Sequence, residues 1–279
     1  MSCSDRWLAL SIGNSRSHWA LFSGNNLQQT WDTPHLSAAD VQQLIDTQFT
    51  ANQFIKRDTT PPSPHCDSDT PISLWITSVV PQQGQLWQEY VAAHFITLEQ
   101  VPLAGLYPTL GIDRALAALG AIAIMHSPVL VIDAGTALTF TGVDGTQLIG
   151  GAILPGLGLQ FQTLQQATAA LPNALPAVLP ASEERVALQF LPPRWALNTA
   201  DAIASGIIYT LLAGLQAFVN DWWQQFPASP VLLTGGDRDR LHAYLTAAMP
   251  AMASKLTVEP HLIFWGMRSV RGERLKAKG

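Results

Sequence analysis

Apolar runs separated by glycine turns predict a small sheet at the start of the chain. The run 7–12 ends at the turn Gly13-Asn14, and the run 17–22 ends at Gly24. Two apolar runs joined by a glycine-containing turn are typical of paired antiparallel strands. We therefore expect the chain to open with an antiparallel meander.

Further along, apolar residues at helical spacing alternate with short apolar runs. Ser37 can cap a helix in which Val41, Leu44 and Ile45 share one face. The predicted helices are 37–49, 82–94, 115–125, 159–171, 200–226, one after Gly236 and one from His261. The further predicted strands are 72–80, 95–98, 129–133, one after Thr136, 231–234 and 256–258, and the proline-rich segments 57–71 and 172–193 are predicted loops. Strands alternating with helices after a meander indicate an α/β fold with mixed sheets.

The middle of the chain repeats the opening pattern. An apolar strand from Val129 is followed by a Gly135-Thr136 turn, a second strand and a reversal at Gly145. The positions that align on the two turns are Ser11 with Asp133, Gly13 with Gly135, and Asn14 with Thr136. A repeat about 120 residues apart predicts two domains of one design, 1–126 and 127–279, with the cleft between them as the expected site.

Composition narrows the classes of protein. Of 279 residues, 48% are hydrophobic and 13% charged, which excludes disorder driven by low hydropathy. The net charge of -5 gives no general field for nucleic acid or an anionic membrane. Cys3 and Cys66 cannot form a disulfide framework, and no run resembles a signal peptide or membrane span. We expect a soluble cytoplasmic protein whose basic tail, from Arg268, is solvated.

Three glycine turns at predicted strand ends are candidate phosphate sites. They are Gly13-Asn14-Ser15, Gly135-Thr136 and Gly235-Gly236. Without a Cβ, a glycine turn lets backbone N–H groups approach an anion, although a short glycine turn is also an ordinary hairpin.

Two aspartates at element ends are the candidate chemical groups. Asp113, in Gly111-Ile-Asp-Arg114 before an apolar helix, could accept a proton from a hydroxyl while Arg114 holds an anionic group and Gly111 leaves room for a ligand. It could instead cap the helix. Asp133 could coordinate a cation or bond to turn amides.

Two further segments have structural and functional interpretations. Asn198-Thr199 precedes the long helix, where a capping pair is expected. The glycine-bracketed apolar segment 150–156 has no titratable group, so it serves close backbone packing or forms a pocket wall.

Taken in order, these motifs resemble type III pantothenate kinase over nearly the whole chain. The matching segments are 12–15, 78–81, 111–114, 133–136, 150–156, Asn198-Thr199 with Ser205-Gly206, and 234–236. The resemblance implies two ribonuclease H-like domains of the acetate and sugar kinase, actin and heat-shock chaperone superfamily, with ATP in the cleft. It also implies a homodimer, in agreement with the strongly apolar long helix.

The resemblance also implies a reaction and roles for residues. The γ-phosphoryl group of ATP, carried with Mg²⁺, passes to the primary hydroxyl of pantothenate, with Asp113 as proton acceptor. The residues implied to bind ATP are Ser11, Ile12, Gly13, Asn14, Ser15, Arg16, Ser17, His18 and Thr136. Those implied to bind pantothenate are Gly111, Ile112, Asp113, Arg114 and Thr199, and Asp133 is the implied ligand of an activating K⁺ or NH4⁺.

Ser11 departs from the family pattern, in which an aspartate meets the magnesium of ATP. A serine supplies no charge, so weak ATP affinity, metal held mainly by the nucleotide phosphates, or lost activity all follow as alternatives. We favour a working enzyme because Asp113, Arg114, Asp133 and Thr136 are in place. The other hypotheses are a non-catalytic relative with a regulatory role and another kinase or phosphatase of the superfamily.

Overall fold

The computed structural model describes residues 6–47, 49, 71–167 and 191–276. The proline-rich segments 57–71 and 172–193 fall almost entirely outside these residues, as do both cysteines. By the packing of its backbone the chain divides into two compact units, one of Met1–Gly120 with Ile263–Gly279 and the other of Ala121–Leu262. The predicted domains were 1–126 and 127–279, whereas residues 263–279 pack with the first unit.

Each unit contains one five-stranded mixed sheet. The first sheet consists of β1 (Arg6–Ile12), β2 (Ser17–Ser23), β3 (Asn26–Thr33), β4 (Ser73–Ser78) and β5 (Ala93–Phe95). The second consists of β6 (Val129–Ala134), β7 (Ala137–Asp144), β8 (Gln147–Pro155), β9 (Val231–Thr234) and β10 (Leu256–Val258). The helices are α1 (Ala38–Asp46), α2 (Pro81–Gln85), α3 (Ile112–Ile124), α4 (Leu157–Ala167), α5 (Thr199–Gln225), α6 (Arg238–Ala248), α7 (Pro250–Ala253) and α8 (Leu262–Lys276).

The two sheets have the same topology. Their strand orders are β3-β2-β1-β4-β5 and β8-β7-β6-β9-β10. In each sheet the first three strands pair antiparallel and the last two join in parallel. Even the irregularity recurs, because the register shifts between Leu21 and Phe22 in β2 and between Gly142 and Val143 in β7. The repeat read from the turns is therefore a repeat of sheet architecture.

Apolar side chains alternate along the strands and form a core in each unit. In the first, Leu10, Ile12 and Ile76 pack with Trp19 and Trp87. In the second, the predicted long helix α5 packs Leu211, Leu215 and Trp222 against strand residues such as Ile132 and Leu233. Burial of these faces is the main force that holds each helix on its sheet.

The prediction of a helix over 82–94 is wrong. Helix α2 ends at Gln85, and the chain continues in turns to β5. Trp87 and Tyr90 are buried in the first core, and the Tyr90 hydroxyl donates to the Ile72 carbonyl at 2.7 Å. Tertiary packing of these aromatic rings overrides the helical preference of the segment.

The basic tail is not solvated as expected over 268–276. It forms α8, in which Arg268 lies over the Trp265 ring and Arg271 over the Trp7 ring. A Cβ at Gly266 would overlap the Leu116 carbonyl oxygen, so glycine permits the close approach of α8 and α3. Stacking of guanidinium groups on aromatic faces replaces the solvation that the charge pattern suggested.

Helix α5 is the one helix among the described residues that is long and apolar enough to cross a membrane. The core helix of a soluble protein meets the same criterion, and Leu212 and Val219 of α5 are fully buried.

Candidate functional site

The first glycine turn joins β1 to β2 and is closed by its own backbone. The Gly13 amide donates to the Arg16 carbonyl at 3.0 Å, and residues 14–16 are exposed. A Cβ at Gly13 would come no closer than 3.4 Å to any neighbouring atom. The turn is therefore an open loop at the end of the strand, with room beside its glycine.

A row of polar residues crosses the first sheet beside this turn. In the strand register, His18 lies opposite Ser11 on one side and Asp32 on the other, and Ser11 lies beside Thr77 of β4. Ser11 and Thr77 are buried, and within the described residues the Thr77 hydroxyl oxygen has no hydrogen-bond partner. An unpartnered buried hydroxyl costs free energy unless a ligand or water uses it.

The end of β3 supports the first turn from outside. The His18 Nδ1–H donates to Asp32 Oδ1 at 2.7 Å, and Arg16 lies 3.7 Å from Asp32 Oδ2. His35, just beyond β3, donates from Nε2 to the Gly13 carbonyl at 2.8 Å. Burial alone would raise the pKa of Asp32, but His18 and Arg16 outweigh it and hold that pKa below the usual value.

The second glycine turn joins β6 to β7 and is tightly packed. The Gly156 amide, just after β8, donates to the Thr136 carbonyl at 2.9 Å. A Cβ at Gly156 would overlap the Gly135 carbonyl oxygen, so only glycine fits there. Of the two explanations for segment 150–156, close backbone packing is confirmed at Gly156.

The Asp133 carboxylate lies between two glycine turns of the second unit. It stands in β6, one residue before the end of the strand, and its Oδ1 occupies the space that a Cβ at Gly235 would fill. Gly235 has φ +92°, a conformation that side chains disfavour. Gly235 therefore leaves the space that the carboxylate occupies, an oxygen donor of the kind that hard cations prefer.

Asp237 connects the same edge to neighbouring elements. Its amide donates to the Ala134 carbonyl at 2.8 Å, and its carboxylate lies 3.5 Å from Arg240. Burial raises the pKa of Asp237, while Arg240 and the Gly158 amide oppose that shift. Asp237 is thus a partly desolvated carboxyl group that links the ends of β6 and β9 to α4 and α6.

Asp113 lies in the first turn of α3, one residue past the helix start. Its Oδ1 accepts from the Arg114 amide at 2.8 Å, which is a helix-capping contact. A Cβ at Gly111 would overlap that carboxylate oxygen. Gly111 therefore leaves room for Asp113 itself, and its contact with a ligand stays a prediction. The carboxyl group is still partly exposed.

Arg114 is a buried cation beside this helix start. Only 7% of the residue is exposed, and Nη1 donates to the Tyr107 hydroxyl at 3.2 Å. Tyr107 itself is 42% exposed, so it links the buried Arg114 guanidinium to the protein surface. Sequence reasoning missed Tyr107, which stands in a loop without a local motif.

Thr199 begins α5 in the second unit, directly after the cap. Asn198 accepts from the Asp201 amide at 2.9 Å and donates to its carboxylate, so the capping interpretation is confirmed. Thr199 is exposed at this helix start. The described residues contain no group of three His, Cys, Asp or Glu side chains that could hold a metal.

Comparison with known proteins decides the family. The family model for type III pantothenate kinase matches residues 7–221. A type III pantothenate kinase of Nostoc sp. is 50% identical, covering 95% of this chain and 94% of its own, and that of Synechocystis sp. is 41% identical, covering 96% and 91%. The chain belongs to the type III pantothenate kinase family.

Solved structures agree with this family at the level of the fold. A Campylobacter jejuni protein assigned to the Baf family of transcriptional activators has a TM-score of 0.58 at 18% identity, covering 96% of this chain and 99% of its own. A Sinorhizobium meliloti protein assigned as a 2-dehydro-3-deoxygalactonokinase has a TM-score of 0.54 at 14% identity, with 96% of each chain covered. The fold is that of the acetate and sugar kinase, actin and heat-shock chaperone superfamily.

Within each unit, the structure brings together part of the site expected for this kinase family. Ser11, Gly13, Arg16 and His18 surround the first turn, and Gly111, Asp113 and Arg114 share the start of α3. In the second unit, Asp133 and Thr136 flank Gly135. Asp32 near the end of β3 and His35 just beyond it were missed because β3 is too polar to predict as a strand. The register of β3 nevertheless places Asp32 beside His18.

Proposed function

We propose that this kinase transfers the γ-phosphoryl group of ATP to the primary hydroxyl of pantothenate, with Asp113 as the proton acceptor. The product is 4′-phosphopantothenate, and the reaction is the first step of coenzyme A synthesis. The observation that carries the proposal is membership of the type III pantothenate kinase family along 7–221, a range that contains every proposed site residue.

Asp113 is suited to orient the substrate hydroxyl. The Arg114 amide donates to one carboxylate oxygen and so fixes its position at the start of α3. Phosphoryl transfer passes through a loose transition state in which little bond formation to the attacking oxygen is needed. A positioned carboxylate therefore contributes mainly by orienting the hydroxyl and accepting its proton as transfer completes.

The first turn, Ser11 to His18, and Thr136 are the proposed ATP contacts. Arg16 provides N–H donors beside an open glycine turn, which suits a phosphate chain, and the His18 ring lies next to that turn. Mg²⁺, bound with ATP, neutralises phosphate charge during transfer. Ser11 and Thr77 offer only neutral oxygens at this point of the sheet, so the metal is held mainly by the nucleotide phosphates.

Asp133 is the proposed ligand of an activating K⁺ or NH4⁺. Its carboxylate fills the space left by Gly235, and the Ala134 carbonyl oxygen lies beside the same space. Oxygen donors with one negative charge fit a monovalent cation.

Substrate and assembly complete the proposal. Gly111, Ile112, Arg114 and the exposed Thr199 are proposed to contact pantothenate. The protein is proposed to act in the cytoplasm as a homodimer, without a nucleic-acid or membrane partner. The alternative of a non-catalytic regulator has no support from the family relatives, which are named as kinases.

A coupled ADP assay on the Asp113→Asn variant tests the central step. We expect pantothenate-dependent ADP formation to fall by about 10²- to 10⁴-fold, the range that proton-transfer groups contribute. The amide oxygen of asparagine can still accept from the Arg114 amide, so thermal unfolding should stay unchanged. Asp46→Asn, an exposed carboxylate of α1, is the control. ADP release that is indifferent to pantothenate in the unaltered enzyme would show the assignment to be wrong.

A further inference from the structure

The end of β3 brings one carboxylate against two basic side chains of the first turn. Asp32 Oδ1 accepts the His18 Nδ1–H, and Asp32 Oδ2 lies 3.7 Å from Arg16 Nη1. His18 and Asp32 are register partners on neighbouring strands, so their side chains leave the same face of the sheet. The Asp32 carboxylate therefore contacts both basic side chains of the proposed phosphate turn.

Stability alone gives a weak reason for this cluster. The side chains of Arg16, His18 and Asp32 are 60%, 39% and 48% exposed. Ion pairs this accessible to water contribute less than about 1 kcal/mol. The cluster has a second consequence that does not depend on stability, because it determines where the nitrogen atoms of His18 point.

Asp32 determines which nitrogen of the His18 ring faces the first turn. Since Nδ1 donates to the carboxylate, Nε2 is the polar ring atom on the other side. Nε2 lies 3.9 Å from the point that a Cβ of Gly13 would occupy, so it faces the open side of the turn.

We propose that Asp32 is a positioning residue for nucleotide binding, holding Arg16 and the His18 ring beside the first turn, where the nucleotide phosphates bind. The inference rests on the proposed function of that turn. Asp32 touches the two basic side chains from the β3 side and itself contacts no substrate. His35 completes the arrangement from the same segment by fixing the Gly13 carbonyl.

The test compares Asp32→Ala and Asp32→Asn by calorimetry with ADP and by steady-state kinetics. Loss of a charged hydrogen-bond partner by Asp32→Ala should weaken ADP binding and raise the KM for ATP by about 5- to 30-fold. Asp32→Asn keeps an acceptor for Nδ1–H, so its effect should be under about 3-fold. The KM for pantothenate should stay within about 2-fold, since only the nucleotide turn is disturbed.

Background variants separate positioning from a structural role. In a chain carrying Arg16→Gln with His18→Gln, Asp32→Ala should cause no further loss of ADP affinity, because nothing remains to be positioned. His18→Gln alone should weaken ADP binding, because it removes one of the two side chains that Asp32 holds at the turn. Asp46→Ala, an exposed carboxylate of α1 in the same unit, serves as the matched control.

Three outcomes would overturn the inference. They are normal ADP affinity in Asp32→Ala when His18→Gln binds weakly, an equal Asp32→Ala effect in the background lacking both cations, and an equal loss in both Asp32 variants. Failure of the proposed function gives a different result. In that case ADP binds to the unaltered protein, but ADP formation from ATP does not depend on pantothenate.

Discussion

The two sheets share strand order and direction but carry different chemistry at the same row of positions. Across the first sheet the row is Asp32, His18, Ser11 and Thr77. Across the second sheet it is Ile153, Thr139, Asp133 and Thr234. The carboxylate is on the edge strand in the first row and on the central strand in the second. A repeated framework thus supports an open cationic turn in one unit and a carboxylate enclosed by glycines in the other.

The glycine of the first turn differs from two glycines that pack near the second turn. Gly13 has space around it, whereas Gly156 and Gly235 are each pressed against backbone atoms of the second unit. The first turn can thus admit a ligand beside its glycine. Gly156 and Gly235 are required for the packing of protein against itself, although Gly135 in the second turn has about as much space as Gly13.

Alanine substitutions at these glycines should have the largest effects on stability. Gly156→Ala and Gly235→Ala should each lower the free energy of unfolding by about 2–4 kcal/mol, since a Cβ overlaps carbonyl atoms and Gly235 has a positive φ. Gly13→Ala should cost under about 1 kcal/mol, because its nearest contact is 3.4 Å. Urea unfolding measures all three. A cost for Gly13→Ala equal to the others would contradict the distinction between the turns.

Exchanging the central residues of the two rows should have an intermediate effect. Ser11→Asp places a carboxylate at a position that is 4% exposed. Without magnesium, the free energy of unfolding should therefore fall by about 1–3 kcal/mol. The same change should tighten binding of the magnesium–nucleotide complex by supplying the missing charge. Calorimetry with and without Mg²⁺ measures both effects.

Asp133→Asn is the reciprocal change in the second unit. It should abolish activation by K⁺ in the coupled assay while pantothenate-dependent activity without K⁺ stays close to that of the unaltered enzyme. Weaker nucleotide binding in Ser11→Asp would show that the first turn has adapted to serine. K⁺ activation that survives in Asp133→Asn would remove Asp133 as the cation ligand.

The smallest expected effect is the change in stability with pH that Asp32 and Asp237 cause. The pKa of Asp32 is lowered in the folded chain, so its contribution to stability is present above its unfolded pKa of about 4 and is lost as pH falls through the folded value. The pKa of Asp237 is raised by burial, so ionised Asp237 costs stability above its folded pKa, and that cost disappears below about pH 4.

Paired asparagine variants measure these opposite signs. At pH 7, Asp32→Asn should lower and Asp237→Asn should raise the free energy of unfolding, each by less than about 1 kcal/mol because both groups contact water. Both differences should shrink as pH falls below about 4, where the carboxylates progressively take up protons. Equal signs for the two variants at pH 7 would contradict the contrast.

Local patterns predicted the parts of the fold that depend on local forces. Apolar strands such as β1 and β6, the stripe of α5 and the turns at Gly13 and Gly135 follow from spacing and turn chemistry. The strand β3 escaped prediction because its residues are mostly polar and half-buried. The segment 82–94 was predicted wrongly because Trp87 and Tyr90 satisfy distant partners rather than a helix face.

The sequence identified residues of the candidate site but not the contacts that those residues make. Asp113 and Asp133 stand out beside glycines, yet the reason for each glycine is a contact with backbone or carboxylate that spacing does not reveal. The support from Asp32 and His35 depends on strand register across β2 and β3. Register arises from tertiary pairing, so a turn motif alone cannot supply it.

The arginines of α8 have a consequence for the order of synthesis. Arg271 and Arg274 stack on Trp7 and Trp75, which belong to strands made hundreds of peptide bonds earlier. This helix can cover Trp7 and Trp75 only after it has left the ribosome. The second unit, whose residues are contiguous and precede α8, is synthesised in full before that contact can form.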